Sequence, residues 1–214
     1  MTQIKRRSPV SFKADAARIE ERNGFQVAVE YYNEGREHIV DLSHLTKWDV
    51  QARDLSGYRP MGVEIPLKPL ESILKNKILI NRMNNTQASV WHILGDDPKI
   101  PDDPGYTDVT DSSASLAIIG ENVSKIAEKL SYLNLFDPKK ATPFLTQGPF
   151  AHVACQIVSF NKDGCVPGIL LTCIRGYARD VVDVVMNAGN EFGLKPAGIS
   201  KFNYWIETYF SGIV

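Results

Sequence analysis

The sequence predicts an α+β fold, and two amphipathic stretches with strand-like runs between them carry that expectation. In residues 180–192, Val181, Val184, Val185, Ala188 and Phe192 recur at helical spacing. In residues 121–133, Val123, Ile126, Ala127 and Leu130 do the same. Between them lie residues 151–160 and 168–174, apolar runs rich in strand formers, joined by the turn residues Asn161-Lys162-Asp163-Gly164. A strand at 115–119 precedes them, and residues 199–206 supply a last strand or a short helix. The order β-α-β-β-α-(β) is the split βαβ, ferredoxin-like arrangement.

Each element has its own local reason. Asp180 is placed to cap the second helix, Gly193 to end it in a left-handed turn, and Pro196 to prevent continuation. The first half is less regular. Residues 1–23 are polar, with a short helix expected at 13–22, and form an extension held in place by a partner or not at all. Residues 25–32 read as a strand and 33–35 as a turn. Short strands follow at 39–42 and 47–51, around Asp41-Leu42-Ser43-His44, then a turn at 54–57. Pro60, Pro66 and Pro69 break the next stretch, with a helical turn expected at 70–74 and strands at 77–80 and 88–94. Residues 96–105 (DDPKIPDDPG) read as a connection, giving a first α+β half at 24–103 and a ferredoxin-like half at 104–214.

Composition limits the function. A chain of 214 residues at 43% hydrophobic content holds one large or two small domains. A net charge of −1 supplies no strong field for nucleic acid or an anionic membrane. Lys5-Arg6-Arg7 is too short a cluster to read as more than a solvated tail. No apolar run approaches the ~20 residues of a membrane span, and no signal-peptide core follows the basic residues, so a cytoplasmic protein is expected. Cys155, Cys165 and Cys173 have neither metal-ligand spacing nor an even number, so neither a disulfide framework nor a metal site is expected.

Common catalytic signatures are absent: no Walker loop, no dinucleotide glycine fingerprint, no nucleophile elbow, no H-E-x-x-H. Asp41, Ser43 and His44 stand too close in sequence to converge as a triad. The aspartates at 96, 97, 102 and 103 lack the alternating ligands of a calcium loop. The most unusual polar segment is Asn81-Arg82-Met83-Asn84-Asn85, flanked by apolar strands. It reads either as a surface turn or as a place where amide and guanidinium groups fix a planar ligand. The aromatic residues Tyr204, Trp205, Tyr209 and Phe210 suit a partner surface or local core packing equally.

These segments also carry a resemblance. DVTDSSASLAIIGENVSKIAEKL (residues 108–130) and NAGNEFGLKPAG (187–198) resemble the glycine cleavage T-protein (aminomethyltransferase) superfamily, in its strand-glycine-helix run and its Gly-Leu-Lys-Pro-Ala-Gly turn. Asp41-Leu42-Ser43-His44 is similar to that family's early Asp-x-Ser-His segment. The length and RGYARDVVDVVMNAG (175–189) are closer to the gamma subunit of heterotetrameric sarcosine oxidase. The resemblance implies a T-protein-like fold and, in T-proteins, transfer of a one-carbon unit from a lipoyl carrier to tetrahydrofolate.

The chain departs from that pattern where the chemistry sits. Residues 80–85 hold no carboxylate, and an amide cannot take up a proton as a carboxylate does. Residues 161–168 lack the family's glutamate, Lys201-Phe202-Asn203 replaces its Ala-Arg-Asp, and Val214 stands where a T-protein adds a β domain. The resemblance therefore implies a non-catalytic subunit or binding module that docks onto a larger oxidoreductase or one-carbon enzyme. The alternative is a tetrahydrofolate-dependent transferase with a remodelled site at Asn81, Arg82, Asn84 and Tyr177.

Overall fold

The computed structural model describes residues 5–33, 35–95 and 97–210. Glu34 of the expected 33–35 turn, Asp96 at the head of the expected connection, and residues 1–4 and 211–214 of the expected N-terminal extension and second half lie outside the described residues.

Two stacked sheets organise the chain. The larger has six strands in the order β10-β11-β12-β9-β3-β13. They are β3 (Glu37–Asp41), β9 (Ser113–Ile119), β10 (Phe144–Phe150), β11 (Val153–Phe160), β12 (Gly168–Ile174) and β13 (Leu194–Pro196). The smaller has five, β5-β6-β7-β4-β8, from β4 (Lys47–Gln51), β5 (Ser72–Lys75), β6 (Ile78–Arg82), β7 (Gln87–His92) and β8 (Tyr106–Asp108). A two-stranded ribbon pairs β1 (Ala16–Arg22) with β2 (Phe25–Tyr31). The helices are α1 (Val123–Glu128), α2 (Ala178–Gly189) and α3 (Ile199–Phe210).

The fold is α+β, and β9, α1, β11, β12 and α2 follow one another in the expected order; the strand after α2 is β13, while residues 199–206, expected as a last strand or a short helix, belong to α3. Two strands are additions to that order. β10 pairs with the outer edge of β11, and β3 lies between β9 and β13, antiparallel to the first and parallel to the second. Residue 103 consequently does not divide the sheets, since β3 sits in the larger one and β8 in the smaller.

Both faces of the six-stranded sheet are covered, which is why its strands read as nearly continuous apolar runs. On one face Leu116, Ile118, Ile169 and Leu171 pack against Val123 and Ile126 of α1 and Val181 and Val185 of α2. On the other, Ala117, Ile119, Val158 and Leu170 meet Phe202 and Ile206 of α3, Phe25 and Val27 of the ribbon, and Leu79 and Trp91 of the smaller sheet. A third cluster, around Trp48, Val50, Ile80 and Val90, is closed by Leu55, Val63 and Ile65 from the proline-broken segment.

Several expectations change. Residues 16–22 form a strand, not a helix, because Asn23 and Gly24, with φ of 49° and 77°, turn the chain into a hairpin. Residues 72–75 are a strand rather than a helical turn. The first helix is shorter than expected, and Asp180 lies in the first turn of α2, with Tyr177 in the cap position and making no side-chain cap bond. Residues 199–210 are a helix. Gly193 has a φ of 77° and ends the turn after α2 as expected.

Candidate functional site

Asn81, Arg82 and Asn84 share one hairpin, β6 to β7, and their polar atoms are used within it or by the segments beside it. Asn81 is fully buried; its Oδ1 accepts from Ser72 Oγ at 2.7 Å and its Nδ2 donates to Ser89 Oγ at 3.4 Å. Ser89 Oγ in turn donates to Gln156 Oε1 at 3.1 Å, tying the two sheets together. Arg82 Nε donates to the Asn84 carbonyl (2.6 Å) and Nη2 to the Asn85 carbonyl (2.5 Å). Asn84 Oδ1 accepts from the Thr86 amide at 2.9 Å. Tyr177 is half exposed in a short turn after β12, and no hydrogen bond or ring contact among the described residues joins it to the other three.

A denser polar cluster lies where the chain crosses from β3 to β4. Asp41 ends β3, and its Oδ1 accepts from the Ser43 amide at 2.9 Å, which bends the chain into the crossing. Leu42 N donates to Ser115 O at 2.8 Å and Ser43 Oγ accepts from the Ser115 amide at 3.1 Å, locking the bend to β9. Lys47 opens β4 and is 3% exposed. Its Nζ donates to the carbonyls of Leu45 (2.7 Å) and Ser43 (3.2 Å). Asp41 Oδ2 accepts from Ser8 Oγ at 2.5 Å, so the N-terminal segment is fastened over the bend. The three residues of the tetrapeptide do not converge: Ser43 and His44 are both buried, and Asp41 bonds to Ser8 and Ser43 instead of the imidazole.

Burial sets the electrostatics of this cluster. It raises the Asp41 carboxyl above its ordinary range, against the hydrogen bonds from Ser8 and Ser43. It lowers Lys47 to about 8, opposed by the charges of Asp41, Asp108 and Asp111. His44 is lowered to about 3 by burial and by the nearby Lys47 and Arg22 charges, so its imidazole is neutral at pH 7. Its Nε2 is buried with no hydrogen-bond partner. Tyr31 is raised to about 12 by burial and by Asp41.

A cavity of about 360 Å³ opens onto Asp41, His44, Tyr31 and Phe25, roofed by residues 8–15. Beyond that roof a second hollow of about 650 Å³ runs between Phe12, Tyr31 and the face of α2 at Val182 and Met186. Of these residues only the Asp41-Leu42-Ser43-His44 segment carries a signal in the sequence. Ser8, Phe12, Tyr31 and Lys47 join it only through the tertiary fold. Among the described residues no group of three or more His, Cys, Asp or Glu side chains could hold a metal ion. Among the described residues no helix is long and apolar enough to cross a membrane.

No protein-family model matches the chain, and no curated protein matches it in sequence. Its fold is similar to that of a chain of heterotetrameric sarcosine oxidase from Corynebacterium sp. U-96, solved in complex with pyrrole 2-carboxylate. The TM-score is 0.61 at 12% sequence identity, covering 76% of this chain and 88% of that chain. At this identity the likeness is one of fold. The chain thus has a sarcosine-oxidase-related α+β fold.

Proposed function

We propose that this chain is a non-catalytic subunit or binding module on the T-protein scaffold, similar to the sarcosine oxidase gamma subunit, in a larger one-carbon or amine-oxidising complex. The observation that carries the reading is the fold likeness over 88% of a chain from a heterotetrameric oxidase. The lack of a carboxylate at residues 80–85 supports it, because acid–base assistance would have no group to use there. Tetrahydrofolate transfer at Asn81, Arg82, Asn84 and Tyr177 is the weaker reading. Asn81 is sealed between Ser72 and Ser89, Arg82 holds its own turn, and Tyr177 stands on another element.

The aromatic residues near the end of the chain divide. Trp205 and Tyr209 are core residues packed on Phe160, whereas Tyr204 is 74% exposed and free to meet a partner. The test is native mass spectrometry of the tagged chain purified from its own organism. The expected result is an assembly well above the 23.9 kDa of the chain alone, with amine-oxidising or one-carbon activity in the same fraction. Recovery solely as the free chain would reject the proposal.

A further inference from the structure

The cavity beneath residues 8–15 combines features of a ligand site that the subunit reading does not use. Asp41 retains some exposure, toward this cavity, and among the described residues it forms no ion pair. Its two bonds come from neutral donors, Ser8 Oγ and the Ser43 amide. The neighbouring cations direct their bonds elsewhere, although the Lys47 charge acts on Asp41. Lys47 Nζ is held by two main-chain carbonyls, Arg22 pairs with Glu20 at 3.0 Å, and Arg6 pairs with Asp111 at 2.7 Å. Asp15 adds a second carboxylate to the wall.

The remaining lining is aromatic or hydrogen-bonding. Phe12 meets Tyr31 edge to face at 6.2 Å between ring centres. His44, 5% exposed and neutral, presents a buried Nε2 with no partner. A half-buried carboxylate with no direct ion pair among the described residues, aromatic faces and an unpartnered imidazole make a site for a positively charged group that also carries apolar substituents. The volume of about 360 Å³ lies at the small end of the range for ligand pockets.

The geometry points to a binding site for a small organic ammonium ion, seated against Asp41 and covered by residues 8–15. The ligand's N–H groups donate to Asp41, its carbon substituents lie on Phe12 and Tyr31, and His44 satisfies its Nε2 at the inner wall. The roof is anchored at Ser8 by its bond to Asp41. Beyond Ser8 it has Val10, buried in the core beneath α1 and α2, the Phe12–Tyr31 contact and an exposed Lys13–Asp183 pair at 3.7 Å.

The test is an amide-resonance titration of the full ¹⁵N-labelled chain with dimethylammonium chloride, which has one N–H for Asp41 and one for His44, at constant ionic strength, using sodium chloride and sodium acetate as controls. Saturable shifts confined to residues 8–15, 31 and 41–47 are expected with the ammonium ion and with neither control. Asp41→Asn should weaken binding at least tenfold, and Phe12→Ala several-fold. Phe12 lies outside the fully buried core, so Phe12→Ala keeps the experiment decisive if Asp41→Asn fails to fold. Linear shifts, equal shifts with sodium chloride, saturation with acetate instead, or full affinity in Phe12→Ala would overturn the site. A failed titration leaves the subunit reading untouched, and a monomeric chain leaves this site untouched.

Discussion

The carboxylate of Glu37, in β3, caps helix α1 from 85 residues away. Its oxygens accept from the Asn122 amide at 3.1 and 3.2 Å and from Asn122 Nδ2 at 2.9 Å, in a setting where Glu37 is 2% exposed. Gly120 makes room for it: a Cβ there would lie 1.8 Å from Glu37 Oε2, and its φ of 147° is one that L side chains rarely adopt. Glu37→Gln should cost about 1–3 kcal/mol, because a charged acceptor of a buried amide is lost. Gly120→Ala should cost more, since it adds strain and displaces the cap. Urea unfolding monitored by tryptophan fluorescence measures both, and the order of the two variants is the discriminating result.

Acid should destabilise the fold through two buried histidines. Burial lowers His44 to about 3 and His92 to about 4, from an ordinary value of 6.5. Because the folded values are depressed, the unfolded chain takes up these protons first. The associated stability is complete above pH 6.5 and declines as pH falls toward those values, by about 1.4 kcal/mol per pH unit for each histidine. His44→Gln should flatten the dependence of unfolding free energy on pH between 6.5 and 4, whatever it does to the absolute stability. An unchanged slope would show that His44 does not remain neutral in the fold.

Trp205 Nε1 and the Tyr209 hydroxyl donate to one acceptor, the Val166 carbonyl, at 2.7 and 2.9 Å. Their rings and that of Phe160 lie 5.1–5.3 Å apart at their centres. Trp205→Phe keeps an aromatic ring but removes one donor and some volume, so a loss of about 1–3 kcal/mol is expected by thermal unfolding. Tyr204→Ala, at an exposed position of the same helix, should change stability by less than about 0.5 kcal/mol.

Arg82→Ala tests what that guanidinium is for. It donates to the carbonyls of Asn84 and Asn85, so its removal should speed hydrogen exchange at the turn amides of residues 84–87. The global unfolding free energy should fall by about 1 kcal/mol or less. Unchanged exchange in that turn would mean Arg82 is not its clamp and would return it to the pool of ligand-binding candidates.

Some of this was legible in the sequence and some could not be. β4 and β12 lie where the sequence places strands, at 47–51 and 168–174, and α2 buries Val181 and Val185 as its periodicity requires but leaves Val184 of the same series 42% exposed. β1 is different. Ala, Arg and Glu favour a helix locally, but pairing with β2 through Asn23-Gly24 overrides that preference. β10 contains Gly148 and Pro149, which argue against a central strand and are tolerated because it lies at the sheet edge. The polar segment at 81–85 stands out in the sequence for a structural reason, a buried amide ladder from Ser72 to Gln156. The crossing at 41–47 is the reverse case. Its charged residues look ordinary until the fold buries Lys47 and lays Ser8 across Asp41.

The place of β3 has a consequence for the order of assembly. Its neighbours are β9 and β13, so the larger sheet cannot close until synthesis has passed Pro196. At ordinary translation speeds the apolar strand Glu37–Asp41 waits roughly ten to thirty seconds for its second neighbour. During that interval a nascent chain exposes Ile39 and Val40, which are buried completely in the finished fold. Pairings this distant in sequence also slow the search for the native state. Ribosomes carrying this chain should therefore recruit hydrophobe-binding chaperones until late in translation, and stalling before residue 194 should yield aggregates rather than a folded first half.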